Sequence, residues 1–147
     1  QLEHQIEGRT FHSPSFSTST GKVKSHVIQI EPTKKLAEFQ LRLMTIRSEG
    51  QFNTVVYEEE DVYRNQTQRD IIMMNEQDMK DMHLAPEERV NVVGVNGSLF
   101  VTVRPYQITT GNCAMYFPEA NVLLSNEVDE ESKTPLFKGT VVSIQKT

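Results

Sequence analysis

Apolar and polar positions alternate along much of this chain with the two-residue period of β-strands. This alternation predicts strands over residues 23–30 and 38–46. Short apolar runs bounded by turn residues predict three more strands, at 70–74, 112–118 and 137–145. So many strands indicate a mainly β domain, and closing them into a barrel would leave no unpaired edge exposed.

One hairpin and one helix are predicted from local signals. The segments ERVNVVGV and SLFVTVR flank Asn96-Gly97, and this pair favours a tight hairpin turn because both residues tolerate a positive φ. Segment 75–83 starts with Asn75, a good helix N-cap, and carries Asp78 in its first turn, where a carboxylate is favourable. The chain is therefore expected to combine its strands with one or two short helices.

The amino-terminal part has a different composition. Its stretch TFHSPSFSTSTGK is rich in Ser, Thr, Gly and Pro, which predicts a linker. We therefore divide the chain into a linker with a leading strand, residues 1–34, and one domain, residues 35–147. A chain of 147 residues with 37% hydrophobic residues is long enough for a domain that buries about 70% of its unfolded surface.

Charge and cysteine content exclude several classes of function. The formal net charge of −5 provides no basic field for nucleic acid or an anionic membrane, so local groups must bind any anionic ligand. The single cysteine, Cys113, rules out an internal disulfide framework and an all-cysteine iron–sulfur cluster in this chain, and it is predicted to be a small buried residue. No apolar run approaches the roughly 20 residues that span a bilayer, and no signal-peptide pattern opens the sequence. We expect a soluble, cytoplasmic protein.

Motifs for self-contained catalysis are absent from the sequence. It has no G-x-S-x-G, P-loop, H-E-x-x-H or G-x-G-x-x-G pattern, and its histidines are scattered. The acidic run Glu58–Asp61 is interpreted as a solvated face, which is the usual role of such a run. We therefore predict no catalytic residue and no metal ligand in this chain.

Three polar clusters lie beside the apolar strands: residues 47–54, residues 75–78, and the two segments 118–123 and 132–138. Arginine, hydroxyl, amide and helix N-terminal groups suit a purine edge and a phosphate, which suggests a nucleotide-like ligand. In the alternative interpretation, the same side chains are only a helix cap, surface charges and turn residues.

Several separated motifs resemble one known family. They are TIRSEGQFNT…YEEEDVYRN, RDIIMMNEQDM and RVNVVGVNGSLFVTVRPYQITTGNCAMYFPEANVLL…SKTPLFK, which keep their order over roughly residues 35–145. This region resembles the carboxy-terminal molybdopterin-dinucleotide-binding domain of molybdenum oxidoreductases, most of all that of formate dehydrogenase alpha-subunit-like proteins. The preceding FHSPSFSTSTGKV resembles the strand and linker that join this domain to the upstream catalytic domains of the same subunit.

The resemblance implies a double-psi β-barrel, the aspartate-decarboxylase-like fold, that covers one side of a bis(molybdopterin guanine dinucleotide) cofactor with molybdenum. The cofactor would be shared with the rest of the subunit, and the fragment alone would be inactive. The motif match implies a cofactor-binding set in three parts. A loop over the pterin or pyrophosphate would contain Arg47, Ser48, Gln51, Phe52, Asn53 and Thr54; Asn75 and Asp78 would lie near the guanine; and Asn121, Lys133 and Lys138 would approach from the last long loop.

The sequence departs from that family at one turn. Such domains commonly carry a glycine-rich L-G-L-x-x-G-D link before the hairpin. This chain reads MHLAPEERV instead, with His83 and Glu88 where glycines are usual. The backbone of this turn is therefore a point to examine, because glycine is the residue that takes a positive φ without strain.

Two other functions stay open from the sequence. A double-psi barrel also serves as a non-enzymatic module that binds a protein partner, as in the amino-terminal domains of some AAA ATPases. Aspartate decarboxylase itself needs a Gly-Ser self-cleavage site, and Gly97-Ser98 is such a pair, but it lies in the predicted hairpin turn. The sequence also leaves open the substrate and electron acceptor of the parent enzyme and its oligomeric state.

Overall fold

The computed structural model describes residues 16–29, 32, 35–48, 51 and 59–147. The chain divides into two compact units, residues 1–34 and 35–147. In the first unit a turn is closed by Thr18, whose hydroxyl donates to the Lys22 carbonyl at 2.7 Å.

The alternating segment at residues 23–29 does not form the strand predicted from its sequence. Its apolar side chains are exposed, and Val27 is completely so. Within the described part of the chain no strand pairs with this segment. An isolated strand has no partner for its backbone N–H and C=O groups, so alternation alone does not stabilise it. Ile30, the last residue of the predicted strand, lies outside the described residues.

Six strands and two short helical segments lie within the described residues of the second unit. The strands are β1 (Gln40–Ile46), β2 (Ile71–Met74), β3 (Arg89–Val93), β4 (Ser98–Pro105), β5 (Asn112–Tyr116) and β6 (Lys138–Lys146), with α1 (Glu76–Asp81) after β2 and a 3₁₀ helix (Glu119–Leu123) after β5. Each remaining strand prediction and the helix prediction is thereby confirmed, with ends that shift by one or two residues. Among the described residues, no helix is both long enough and apolar enough to cross a membrane.

The six strands close into a barrel in the order β1-β5-β2-β4-β3-β6. Two pairs are parallel: β1 with β5, where Leu43 lies beside Cys113, and β2 with β4, where Ile71 lies beside Thr102. β2 runs antiparallel to β5, so the two parallel pairs lie side by side in opposite directions. The two strands of each parallel pair are not consecutive in the chain, so crossover connections join them. This arrangement is that of a double-psi β-barrel, which confirms the predicted mainly β fold.

Side chains from all six strands fill the barrel interior. They include Leu41, Leu43, Ile72, Met74, Val90, Val92, Val101, Val103, Cys113, Met115, Val142 and Ile144. Cys113 is fully buried, as predicted, and burial raises the pKa of its thiol. Since the interior is filled, a ligand can bind only at the ends or outer surface of the barrel.

The hairpin between β3 and β4 forms as predicted, but its turn differs from the predicted kind. Residues 94–97 connect the strands, and the Gly94 N–H donates to the Gly97 carbonyl at 2.8 Å. Neither Asn96 nor Gly97 has a positive φ. Asn96 instead donates its side-chain amide to the Leu124 carbonyl at 2.6 Å. The turn is therefore fixed by contact with the segment after the 3₁₀ helix, which its own sequence does not reveal.

The turn between α1 and β3 contains two left-handed residues, His83 with φ 55° and Glu87 with φ 68°. The sequence comparison placed the glycine-like positions at His83 and Glu88. The expectation holds for His83, but the second such position is Glu87. Glu88 has no positive φ, and its carboxylate accepts from the Ala85 N–H at 2.8 Å.

Candidate functional site

A cavity of about 430 Å³ opens at one end of the barrel. Strands β1 and β5 are parallel and β6 is antiparallel to β1, so the carboxyl ends of the first two strands meet the amino end of the third. The described residues that line the cavity are Thr45, Ile46, Arg47, Arg64, Phe117, Phe137 and Lys138. We call it the cationic cavity, because three of these residues carry positive charge and none is acidic.

Backbone and ring contacts surround the three cations. The Arg47 guanidinium carbon lies 5.4 Å from the centre of the Phe117 ring. Arg64 donates to the Arg47 carbonyl at 3.1 Å, and the Lys138 ammonium donates to the Thr45 carbonyl. A chain with a net charge of −5 thus gathers positive charge beside apolar ring faces. This combination suits a phosphate that is joined to a planar ring.

Arg64 is held in place by a buried carboxylate. Asp61 is only 1% exposed, forms an ion pair with Arg64 at 2.5 Å and accepts from the Tyr116 hydroxyl at 2.7 Å. Burial raises the pKa of Asp61, but its contacts with Arg64 and Tyr116 outweigh that effect, so its pKa lies below the ordinary value. Burial and the bond to Asp61 raise the pKa of Tyr116, which therefore keeps its proton as a donor.

The acidic run was predicted to be a solvated face. Glu59 and Glu60 are exposed, in agreement with that prediction, whereas the buried Asp61 contradicts it. Glu58 lies outside the described residues. The run is thus divided, because Asp61 has cationic and hydroxyl partners that offset its burial.

Ser48 and Gln51, two residues of the predicted binding loop, are buried and bonded to Arg69. Arg69 Nη1 donates to Ser48 Oγ at 3.1 Å, and Nη2 donates to Gln51 Oε1 at 3.2 Å. The same guanidinium pairs with Glu119 at 2.6 Å and donates to the Phe117 carbonyl at 2.6 Å. These contacts join the segment after β1 to the 3₁₀ helix after β5.

Asn75 and Asp78 lie at the other end of the barrel. β2 runs antiparallel to β5, with Met74 beside Cys113, so α1 starts where β5 begins. Arg47 follows β1 at the place where β5 ends. The predicted binding residues are therefore divided between two opposite ends of the barrel.

Both Asn75 and Asp78 make structural contacts. Asn75 is the predicted N-cap of α1: its side-chain oxygen accepts from the Gln77 N–H at 2.8 Å, and its amide donates to the Ile108 carbonyl at 2.6 Å. The Asp78 carboxylate accepts from the Gly111 N–H at 2.8 Å, and burial raises its pKa. A cavity of about 580 Å³ opens beside Asn75 and is lined by Asn75, Glu76, Gln77, Lys80, Pro105, Tyr106 and Gln107.

The last long loop brings Asn121 close to the cationic cavity, but not Lys133. Asn121 lines a cavity of about 270 Å³ that shares Phe137 with the cationic cavity. Lys133 is exposed in a turn with φ 55°, where its N–H donates to the Asp129 carbonyl at 2.9 Å, and it lines neither of these two cavities. Phe52, Asn53 and Thr54 lie outside the described residues.

Sequence reasoning missed Arg64, Arg69, Phe117 and Phe137. Two signals were present. Arg64 follows Asp61 by three residues, a spacing that brings two side chains together across a turn. Arg69 nearly adjoins the fully apolar β2, where a charged side chain needs a partner. Within the described ranges, no group of three or more His, Cys, Asp or Glu side chains is arranged to hold a metal ion.

Comparison with known proteins adds a family and several longer relatives. A family model described as molydopterin dinucleotide binding domain matches residues 41–141. An uncharacterized oxidoreductase of Mycobacterium tuberculosis is 31% identical over 145 residues, covering 90% of this chain and 18% of that protein. Protein YdeP of Escherichia coli K12 is 29% identical over 118 residues, covering 72% of this chain and 15% of YdeP. The chain therefore spans less than a fifth of the length of either relative.

A solved structure supports the fold. Acetylene hydratase from Pelobacter acetylenicus matches with a TM-score of 0.58 and 17% identity, over 75% of this chain and 19% of that one. At this level of identity the similarity concerns the fold alone.

Proposed function

This chain belongs to the molybdopterin dinucleotide-binding domain family, and we propose that its cationic cavity binds the diphosphate and an adjoining ring of a molybdopterin dinucleotide. Because the relatives are much longer, the domain would form one part of a larger molybdenum oxidoreductase. The observation that carries the proposal is that Arg47, Arg64 and Lys138 line one cavity in an acidic chain.

The residues of the cavity fit the chemistry of this cofactor. Phosphate oxygens accept from guanidinium and ammonium donors, and arginine can bind them with two parallel hydrogen bonds. Phe117 and Phe137 supply faces for a pterin or purine ring. Arg64 is already oriented by Asp61, so binding would not have to order it. The volume of about 430 Å³ is that of a small-molecule site, so the barrel would enclose only part of a dinucleotide.

The domain's own residues would bind and orient the cofactor. Arg47, Arg64 and Lys138 would hold the diphosphate, while Phe117 and Phe137 would flank a ring. When bound, the cofactor would supply two-electron redox chemistry at its molybdenum. The surrounding cations would neutralise the phosphates and fix the orientation of the group.

The finer assignments extend this proposal. We propose that the cofactor is the bis(molybdopterin guanine dinucleotide) form. Asn75 and Asp78 lie at the opposite end of the barrel from the cationic cavity, so they would be near a guanine of this cofactor other than the one whose diphosphate the cavity holds. The parent would be a cytoplasmic, formate dehydrogenase-like enzyme in which upstream catalytic domains of the same subunit complete the site. The motif resemblance supports the guanine form and the formate dehydrogenase-like parent, and the oxidoreductase relative supports an oxidoreductase parent. Formate oxidation yields carbon dioxide, one proton and two electrons, so the parent should reduce an artificial electron acceptor with formate; oxidation of another substrate alone would refute that assignment.

Calorimetric titration of the 147-residue chain with GDP tests the core of the proposal, since GDP carries a guanine and a diphosphate. We expect saturable binding that guanosine, without phosphates, does not reproduce. Arg47→Gln should weaken GDP binding about tenfold, because a hydrogen bond to a charged group contributes roughly 1.5–3 kcal/mol. A preference for GDP over ADP would support the guanine form.

Arg89→Gln is the matched control for charge. Arg89 pairs with Asp70 at 2.7 Å and starts β3, near the carboxyl end of β6, whereas the cationic cavity lies at the amino end of β6. GDP affinity should be unchanged in this variant. Equal losses of GDP affinity in Arg47→Gln and Arg89→Gln would show that net charge alone explains the effect, which would contradict the proposal. The absence of saturable binding at millimolar GDP would favour the protein-binding module instead.

A further inference from the structure

Arg69 is a partly buried arginine two residues before β2. Its side chain is 9% exposed, and it is not among the described residues that line the cationic cavity. Nε and Nη2 donate to the two carboxylate oxygens of Glu119, at 2.6 and 3.1 Å. Nη1 donates to Ser48, and Nη2 also donates to Gln51 and to the Phe117 carbonyl. All three guanidinium nitrogens are therefore engaged.

The Arg69 guanidinium binds Phe117 and also Ser48, the neighbour of Arg47 in the chain. Ser48 directly follows Arg47, and Phe117 carries the ring that lies 5.4 Å from the Arg47 guanidinium. Arg69 thus holds the residue next to the cation and also the backbone of the ring against which the cation lies. The register of β1 with β5 ends at Ile46, so Arg69 is a link between the segments that continue beyond the paired strands.

We infer that Arg69 is a positioning residue of the cationic cavity: it fixes Arg47 against Phe117 and so presents the Arg47 guanidinium to the diphosphate. The inference rests on the proposed function of the cavity. Arg69 itself contacts no ligand and acts through Arg47. A preorganised Arg47 would lose less side-chain freedom on binding than a mobile one, which strengthens binding.

Lysine separates the two roles that Arg69 could have. It keeps the positive charge, but its single ammonium cannot reproduce the planar fork that reaches Glu119, Ser48 and the Phe117 carbonyl together. If Arg69 contributed only its positive field, Arg69→Lys would bind GDP normally. If Arg69 positions Arg47, the same variant binds GDP less tightly.

The test is a double-mutant cycle in the 147-residue chain, with GDP affinity measured by calorimetry well below the unfolding temperature. Arg69→Lys alone should weaken binding about tenfold. The double variant with Arg47→Gln should bind within about twofold of Arg47→Gln alone, because nothing is left for Arg69 to position. Arg89→Lys, an exposed arginine at the other end of the barrel, should match the wild type.

Two results would overturn the inference. Unchanged GDP affinity in Arg69→Lys would show that Arg69 contributes only its positive charge to binding. Losses that multiply in the double variant would mean that Arg69 acts independently of Arg47. Should Arg69→Lys fail to fold, Ser48→Ala removes just one acceptor of Arg69 and should weaken binding about threefold; unchanged affinity there would overturn the inference as well.

Amide hydrogen exchange at Gln51 reports on the anchoring without any ligand. The Gln51 N–H donates to the Ser48 carbonyl at 3.1 Å, so Arg69→Lys should accelerate its exchange. If the wild type bound no GDP but Arg69→Lys still exchanged the Gln51 amide faster, the proposed function would be contradicted, while the anchoring by Arg69 would stand. If the wild type bound GDP normally and Arg69→Lys had unchanged exchange and unchanged affinity, this inference would be overturned and the proposed function would stand.

Discussion

His83 takes a left-handed backbone conformation, with φ 55°, in the turn that follows α1. A side chain in this conformation is crowded by the following carbonyl, at a cost of roughly 1–2 kcal/mol that glycine avoids. Hydrogen bonds on both sides keep the turn in this shape. The His83 N–H donates to the Lys80 carbonyl at 3.0 Å, and the Lys146 ammonium donates to the His83 carbonyl.

His83→Gly should therefore stabilise the domain. Relief of the left-handed strain should raise the free energy of unfolding, measured by urea titration, by about 1 kcal/mol. The greater freedom of glycine in the unfolded chain would offset part of this rise. Lys80→Gly is the control, since Lys80 lies in α1, and it should lower the same free energy by about 1 kcal/mol. A His83→Gly variant that is less stable than the wild type would contradict the strain at this position.

Residues of the site differ in how far the sequence reveals them. Arg47 directly follows β1 and Lys138 begins β6, so both fall in polar clusters that the sequence places beside strands, and the motif resemblance names them individually. Arg69 was missed because its bonds reach side chains and a carbonyl 18 to 50 residues away in the sequence. No local pattern encodes such contacts.

At the scale of elements, local periodicity predicted strands, and pairing with neighbouring strands stabilises those that form. β1, β2, β5 and β6 were found because their apolar positions follow strand patterns, and each has neighbours in the barrel. Segment 23–29 has a similar pattern without a partner and forms no strand. The parallel pairing of Arg42 beside Asn112 joins distant parts of the chain, so the crossover order came from the family resemblance and not from periodicity.

The start of α1 should depend on both ends of the Asn75 side chain. Asn75→Ala loses the cap to Gln77 and leaves the Ile108 carbonyl without its donor, so we expect a loss of about 2 kcal/mol in unfolding free energy. Asn75→Ser keeps a cap acceptor and should lose about 1 kcal/mol. Gln77→Ala removes only an exposed side-chain bond to Asp81 and serves as the control, with less than about 0.5 kcal/mol.

Equal stabilities of Asn75→Ala and the wild type would show that the helix start is held by other contacts. In that case the capping interpretation would be wrong, and the Asn75 amide would be available to a ligand. Thermal and urea unfolding, followed by circular dichroism, would measure these differences.

At the scale of the whole molecule, the closed barrel places positive charge at one end of a chain that is acidic overall. The chain is acidic overall, yet the end where β1 and β5 finish collects Arg47, Arg64 and Lys138 around one cavity. The opposite end presents Asn75 and Asp78 at the start of α1. A filled interior separates the two ends, so a ligand in the cationic cavity does not reach Asn75 and Asp78 through the barrel.

The most direct test of the account is a two-dimensional amide NMR titration of the 147-residue chain with inorganic pyrophosphate, which carries the diphosphate alone. We expect saturable shifts that concentrate at Ile46, Arg47, Ser48, Phe117 and Lys138, the residues in and beside the cationic cavity. Saturable shifts confined to residues 75–78, or no saturable shifts at millimolar pyrophosphate, would contradict it.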